Sequence, residues 1–161
     1  MNLEFKHLTQ ICIDDIIELN NHPDVLRLMP LGSPDFDREI CKKWVIQKES
    51  QWAKYGYGPW AFVIDSRFAG WGGLQFEEGD ADLALVLHPE YWGKGKIIFE
   101  EIVRRAFSEM HLETITVLLP LSRTRIKGIL RLGFLPDGEV ELDGVRFKRF
   151  RLSASTVYPT L

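Results

Sequence analysis

Cysteine is scarce: Cys12 and Cys41 are the two in 161 residues. They are too few for a disulfide framework and fit no zinc spacing, so both are expected as buried or half-buried reduced thiols in helical segments. Long apolar runs are missing as well. None approaches the ~20 residues that span a bilayer. Met1-Asn2-Leu3-Glu4-Phe5-Lys6 also lacks the basic-then-apolar form of a secretory leader, so a cytoplasmic location is expected. Positive charge is not in excess, with 20 Lys and Arg against 23 Asp and Glu and a net charge of −3. That balance argues against non-specific nucleic-acid binding. Internal repeats, low-complexity tracts and linkers are absent too, which leaves one domain over residues 1–161.

What is present is an ordinary globular composition, 45% apolar and 27% charged, with alternating and helical runs in turn. Leu3 to Leu8 alternates as a first strand. Asp14-Asp15 places acids in the first turn of a helix that closes near Asn20-Asn21-His22-Pro23. Helical spacing resumes through Leu28, and Ser33-Pro34-Asp35 opens a longer helix over 37–54. Residues 60–64, 68–76 and 81–87 read as strands joined by Asp65-Ser66 and Glu77-Glu78-Gly79-Asp80. An apolar face from Ile98 to Met110 makes the next helix. Residues 114–119 form a strand, and 123–132 a helix stopped by Gly133 in a left-handed cap. A final hairpin, 134–142 and 145–152, turns at Asp143-Gly144. The order β-α-α-β-β-β-α-β-α-β-β is that of an α+β, or mixed α/β, sheet layered with helices.

Between the strand ending at Leu87 and the following helix lies Tyr91-Trp92-Gly93-Lys94-Gly95-Lys96. A strand, a tight Gly-x-Gly turn and a helix N-terminus together make a cradle for a diphosphate. Glycines let backbone N–H groups approach the anion, and the helix dipole with its unpaired donors favours negative charge. This context points to a phosphate-bearing cofactor.

With its flanks, the stretch resembles the GNAT superfamily of acetyl-CoA-dependent N-acetyltransferases, and within it the RimJ/RimL-type branch. Four segments carry the resemblance: His88-Pro89-Glu90-Tyr91-Trp92-Gly93-Lys94-Gly95, Gly58-Pro59-Trp60-Ala61-Phe62-Val63, Phe68-Ala69-Gly70-Trp71-Gly72-Gly73-Leu74 and Leu130-Arg131-Leu132-Gly133-Phe134. It runs from about Leu3 to Leu152. The resemblance implies the GNAT fold, a mostly antiparallel sheet of about seven strands, the fourth and fifth splayed, flanked by about four helices. It implies acetyl-CoA as cosubstrate, no metal, and acetyl transfer to a primary amine by direct attack in a ternary complex. That amine is a protein or peptide α-amino group or a small molecule. Leu85, Val86 and Leu87 are placed against the pantetheine arm through main-chain groups. Trp92, Gly93, Lys94, Gly95 and Lys96 are placed on the diphosphate, with Ile97 where relatives carry Gly or Ala. Arg125, in the cluster Arg123, Arg125 and Lys127, either reaches the CoA phosphates or belongs to a solvated face.

Acetyl transfer needs a neutral amine, a site for the developing oxyanion and a proton for the leaving thiolate. A free aliphatic ammonium has a pKa near ~10, so a base, or a water chain to one, must take its proton. Asp82 is the first candidate, since many relatives carry a carboxylate near the start of the fourth strand. Alternation sets Asp82, Ala84, Val86 and His88 on one face and three leucines on the other. The leucine face is expected against helices, leaving Asp82 toward the cleft. The competing reading is a solvated carboxylate at the strand start, with Glu77 or Glu78 serving the relay instead. A backbone N–H near Leu87 is expected to meet the oxyanion. Relatives often carry a thiolate-protonating Tyr where Ile129 stands. Ser122, at a position where they carry Asn, is the candidate donor, or else the N-cap of the last helix. Tyr55, Tyr57 and Trp71 are expected to frame the acceptor side, with Trp44 and Trp60 in the core. Arg146, Lys148, Arg149 and Arg151 read as a charged strand edge. The alternative resting on Ile97, Ser122 and Ile129 is a GNAT-fold protein that binds or senses acyl-CoA with little or no turnover. Exposed strand edges and residues 153–161 leave monomer and homodimer open.

Overall fold

Three two-residue turns build much of the sheet: Asp65-Ser66, Glu78-Gly79 and Asp143-Gly144 all take positive φ, from 48° to 90°. That backbone carries the twist of the strands it joins. The computed structural model describes residues 1–159. Its strands are β1 (Leu3–Lys6), β2 (Pro59–Ile64), β3 (Arg67–Glu77), β4 (Asp80–Leu87), β5 (Thr114–Pro120), β6 (Leu135–Leu142) and β7 (Val145–Ser153). They form one seven-stranded sheet in the order β1-β2-β3-β4-β5-β7-β6. Neighbours are antiparallel except β4 and β5, which run parallel and share a single bridge, Asp82 opposite Thr116. Beyond that bridge the two strands diverge.

The glycines of β3 leave space that the β4 backbone occupies. A Cβ at Gly70 or Gly72 would strike the carbonyl oxygen of Val86 or Ala84. Gly73 takes φ +125°, a region that side chains avoid, and a Cβ there would sit 2.7 Å from the Trp60 ring.

The helices are α1 (Ile13–Asn21), α2 (Pro23–Leu26), α3 (Arg38–Tyr55), α4 (Gly95–Arg104), α5 (Lys127–Arg131) and α6 (Ala154–Val157). That is two more than the expected four, because α2 and α6 are single turns. α3 is N-capped by Asp37, whose side chain accepts from Ile40 N, and ends at Gly56 in the left-handed conformation. α4 passes into a π-helical turn, Arg105–Glu109, that closes with Met110 N on Arg105 O at 2.9 Å. α5 is shorter than its pattern: the helix expected from Arg123 starts only at Lys127, and its N-cap is Ile126, without a side-chain bond. Arg123, Arg125 and Lys127 crowd positive charge where a helix N-terminus already carries partial positive charge, which opposes an earlier start. Ser122 therefore stands in the turn after β5 and caps nothing.

Side chains alternate across the sheet into two cores. Phe62, Leu74, Leu83, Ile98, Ile102 and Phe134 belong to one, under α4. Ala61, Trp71, Ile16, Leu19, Cys41 and Val45 belong to the other, under α1 and α3. Cys41 is buried as expected, whereas Cys12 is exposed, standing just ahead of α1. β7 is not an edge; it lies between β5 and β6. Its arginines are engaged: Arg151 holds Asp80 through two hydrogen bonds of 2.8 and 3.0 Å and Asp137 at 2.8 Å, and Arg149 donates to Asp137 at 3.1 Å. Among the described residues no helix is long and apolar enough to cross a membrane. The segment 153–161 runs through α6, and its residues 160–161 lie outside the described residues.

Candidate active site

The parting of β4 from β5 decides which main-chain groups face the opening. His88 N donates to Ala69 O at 2.8 Å, which makes that opposed pair hydrogen-bonded. Along the same register Val86 and Ala84 direct their amides and carbonyls to Trp71 and Gly73 of β3. Leu83, Leu85 and Leu87 turn theirs the other way, toward β5. Of the three residues expected to meet pantetheine, Leu85 and Leu87 thus offer main-chain groups to the opening and Val86 does not. The Leu87 carbonyl already accepts from Trp92 Nε1 at 2.9 Å. Trp92 is otherwise exposed at the mouth, and sequence pattern could not foresee that clasp.

From Pro89 to Lys94 the chain makes a 3₁₀ helix that runs straight into α4. His88 caps it, its Nδ1 accepting from Glu90 N at 3.2 Å, and packs edge-on against His22. α4 begins with no side-chain cap and no acid in its first turn. Lys94 and Lys96 flank it, both exposed, and Ile97 is exposed beside them. A Cβ at Gly93 would meet nothing, and one at Gly95 would lie 3.7 and 3.8 Å from the Leu87 and Leu85 side chains. Gly93 and Gly95 thus lie in continuous helix rather than in a tight turn, and the Gly95 N–H is already given to the Trp92 carbonyl. What fits a pantetheine arm and a diphosphate is the pair of strand amides without a strand neighbour and the two exposed lysines. Ser122 and Arg125 follow the end of β5 on exposed chain at the same open end.

Asp82 stands at the opposite, closed end, where the strands are bridged. It is buried, at 6% exposure, rather than solvated at the strand start. Its Oδ1 accepts from the Thr116 hydroxyl at 2.7 Å. Burial pushes its pKa up to about 7; the Thr116 bond pulls it down, and the neighbouring Glu77 and Asp80 raise it. A carboxyl half ionised near neutral pH can exchange protons with an amine or with water. The face it occupies is covered by α3, not left open: Lys48 hydrogen-bonds Gln75, the cross-strand partner of Asp82. The Lys48 ammonium lies 5.4 Å from the Trp71 ring and 5.8 Å from that of Trp44. Burial lowers its pKa against the pull of Glu77. Lys48 and Thr116 were missed as site residues. Lys48 follows Trp44 by one turn of α3, and only the register of β3 and β4 brings both to Asp82.

The aromatics expected at the acceptor side divide. Trp71 is buried, donates from Nε1 to Asn20 Oδ1 at 2.9 Å and meets Trp44 edge-on. Tyr55 stacks on Phe76, with centroids 4.3 Å apart, and Tyr57 is buried in the core beneath α4. Trp71 thus lies on the Asp82 face, and the two tyrosines do not. Likewise, Asp82 and Ser122 sit at opposite ends of the opening.

The splayed parallel pair and the helix start at the end of β4 are the marks of one family. The sequence profile of the Acetyltransferase (GNAT) domain matches residues 2–124, and the chain belongs to that family. No curated protein matches it in sequence. Solved structures share the fold at low identity. A GnaT-family acetyltransferase structure from Bordetella pertussis superposes with TM-score 0.76 at 14% identity, covering 94% of this chain and 95% of its own. An acetyltransferase from Agrobacterium tumefaciens gives 0.72 at 16% identity over 93% and 90% of the two chains. The spermidine N-acetyltransferase of Vibrio cholerae, solved with CoA and spermine, gives 0.70 at 14% identity over 97% and 96%.

Proposed function

We propose that this chain is an acetyl-CoA-dependent N-acetyltransferase of the RimJ/RimL-like kind that acetylates a primary amine. The acceptor is a small-molecule amine or a protein or peptide α-amino group. The observation that carries the reading is the wedge between β4 and β5, with two exposed lysines at its mouth and a buried carboxyl at its closed end. Bound there, acetyl-CoA supplies an activated acetyl thioester. Leu85 and Leu87 hold the pantetheine arm through main-chain groups. The first turn of α4, with Lys94 and Lys96, holds the diphosphate, and the Leu87 N–H stands ready for negative charge on the acetyl oxygen. Five residues of extended strand, ~16 Å, separate Asp82 from Leu87. Asp82, as carboxylate, thus takes the acceptor's proton through intervening water and frees the nitrogen lone pair for attack. Fixing both reactants along one strand supplies further rate through orientation. The Vibrio cholerae neighbour, with CoA and spermine in one structure, supports an amine as the acceptor.

Calorimetric titration with acetyl-CoA and CoA, followed by thiol release with a primary alkylamine, spermidine and a peptide with a free N-terminus, tests the reading. Expected are micromolar binding, thiol release with at least one amine, and loss of binding in Gly95→Trp, whose side chain would lie over Leu85 and Leu87. Binding without release favours the sensing alternative, to which buried Ile129 and exposed Ile97 lend support. A folded protein that binds neither ligand ends both readings.

A further inference from the structure

Asp82 and Thr116 meet at the one bridge between β4 and β5. Thr116 is buried at 1% exposure, and its hydroxyl donates to Asp82 Oδ1 at 2.7 Å. Among the described residues no other donor reaches the Asp82 carboxyl, so Oδ2 has no protein partner. A hydroxyl carries one proton, and giving it to Oδ1 makes that oxygen the poorer base and Oδ2 the better one. The donor is well placed to hold a direction: its χ1 is stiff because Thr is β-branched. Its backbone is fixed by the Thr116 to Arg151 register with β7.

We propose that Thr116 is a positioning residue that sets the plane of the Asp82 carboxyl and leaves Oδ2 as the atom that takes the acceptor's proton. The proposal rests on Asp82 being the base. The proton leaves the substrate ammonium, passes along water to Oδ2 and yields a neutral carboxylic acid, while the Thr116 bond to Oδ1 persists in both states. The charged groups around Asp82 are largely spent on one another. Arg151 of β7 is committed to Asp80 and Asp137, and Arg149 to Asp137. Lys48 of α3 and Glu77 of β3 oppose each other. The Thr116 hydroxyl is thus the direct contact through which the fold steers this carboxyl, and its bond favours the ionised form.

Thr116→Val removes the hydroxyl and keeps the shape, Thr116→Ser keeps the hydroxyl, and Thr116→Ala serves as a second hydroxyl-free variant should Val disturb folding. Two readouts are needed: the Asp82 titration by carboxyl ¹³C NMR, assigned by its loss in Asp82→Asn, and kcat/KM against pH with the best amine of the panel. In the hydroxyl-free variants the NMR midpoint and the acidic limb of the rate profile are both expected to rise by about one pH unit, the size of a charge-assisted hydrogen bond. At pH 7 kcat falls about ten-fold, within the range of misdirected proton transfer, KM for acetyl-CoA holds, and Ser restores both readouts. An unmoved midpoint in Val and Ala overturns the proposal even if Asp82→Asn abolishes the acidic limb. An acidic limb that survives Asp82→Asn instead removes the base assignment, and the proposal falls with it.

Discussion

Asp82 is held in a place that favours its neutral form. Its carboxyl has an ordinary pKa of 3.8 and a folded one of about 7. Below the lower value both folded and unfolded chains keep the proton. Between the two the unfolded chain releases it and the folded chain does not, so stability falls as pH rises through that window and levels off above it. Asp82→Asn keeps an oxygen for Thr116 and removes the ionisation. Melting curves should therefore show the variant gaining ~2–4 kcal/mol over wild type at pH 8 and nothing at pH 3.5. Acetyl transfer should fall by ~10²-fold or more in the same protein. A variant no more stable at pH 8 would mean the carboxyl is better solvated than its burial implies. Such a trade of stability for a reactive group is common at active sites. The sequence marks Asp82 through its place in the fourth strand, yet its burial was not legible. Thr116 is 34 residues away and arrives only by the parallel crossover.

At the scale of elements, β3 and β4 show why glycine recurs in Phe68-Ala69-Gly70-Trp71-Gly72-Gly73-Leu74. Read alone, the run marks a family; with β4 alongside, Gly70 and Gly72 are where two backbones leave no room for a Cβ. Gly72→Ala must push Ala84 away. A loss of ~2–3 kcal/mol is expected, or ~5–10 °C in melting temperature, with part of the cofactor affinity going too because β4 carries Leu85 and Leu87. Gly93→Ala, whose Cβ meets nothing, should stay within ~0.5 kcal/mol of wild type by the same melts. If both variants melt alike, the close approach is not what Gly72 serves. The hairpins and α3 were plain in the sequence because turn and cap residues act locally. α5 was overread because helical spacing says nothing of three cations set against a dipole. β7 looked like an edge because its charges are visible in sequence, whereas Asp80 and Asp137, which answer them, come from two other strands.

For the molecule as a whole, the order of elements reached a sheet layered with helices, and the family resemblance of the glycine-rich segments supplied the seven strands and the splayed fourth and fifth. The family profile stops at residue 124, while structural likeness extends over more than nine tenths of the chain. The last quarter thus keeps the architecture with its own sequence. Placing the two cores on opposite sides of one sheet predicts where a ligand is felt. Hydrogen exchange on adding acetyl-CoA should slow at Leu85, Leu87 and the first turn of α4, and leave β1 and β2 as they were. Slowing confined to β1 and β2 would put the ligand elsewhere.

The single bridge between β4 and β5 also has a mechanical meaning. Strands β1 to β4 form one plate and β5, β7 and β6 another, joined by one bridge where Asp82 faces Thr116. Arg151, reaching from the second plate to Asp80 on the first, braces the assembly on the short side of that bridge. Leu87 and Pro120 end the long arms. Leu83 and Leu87 of β4 and Ile115, Val117 and Leu119 of β5 share one buried cluster with Ile98 and Ile102 of α4. Packing thus ties together the two arms that one hydroxyl and one guanidinium join at the far end.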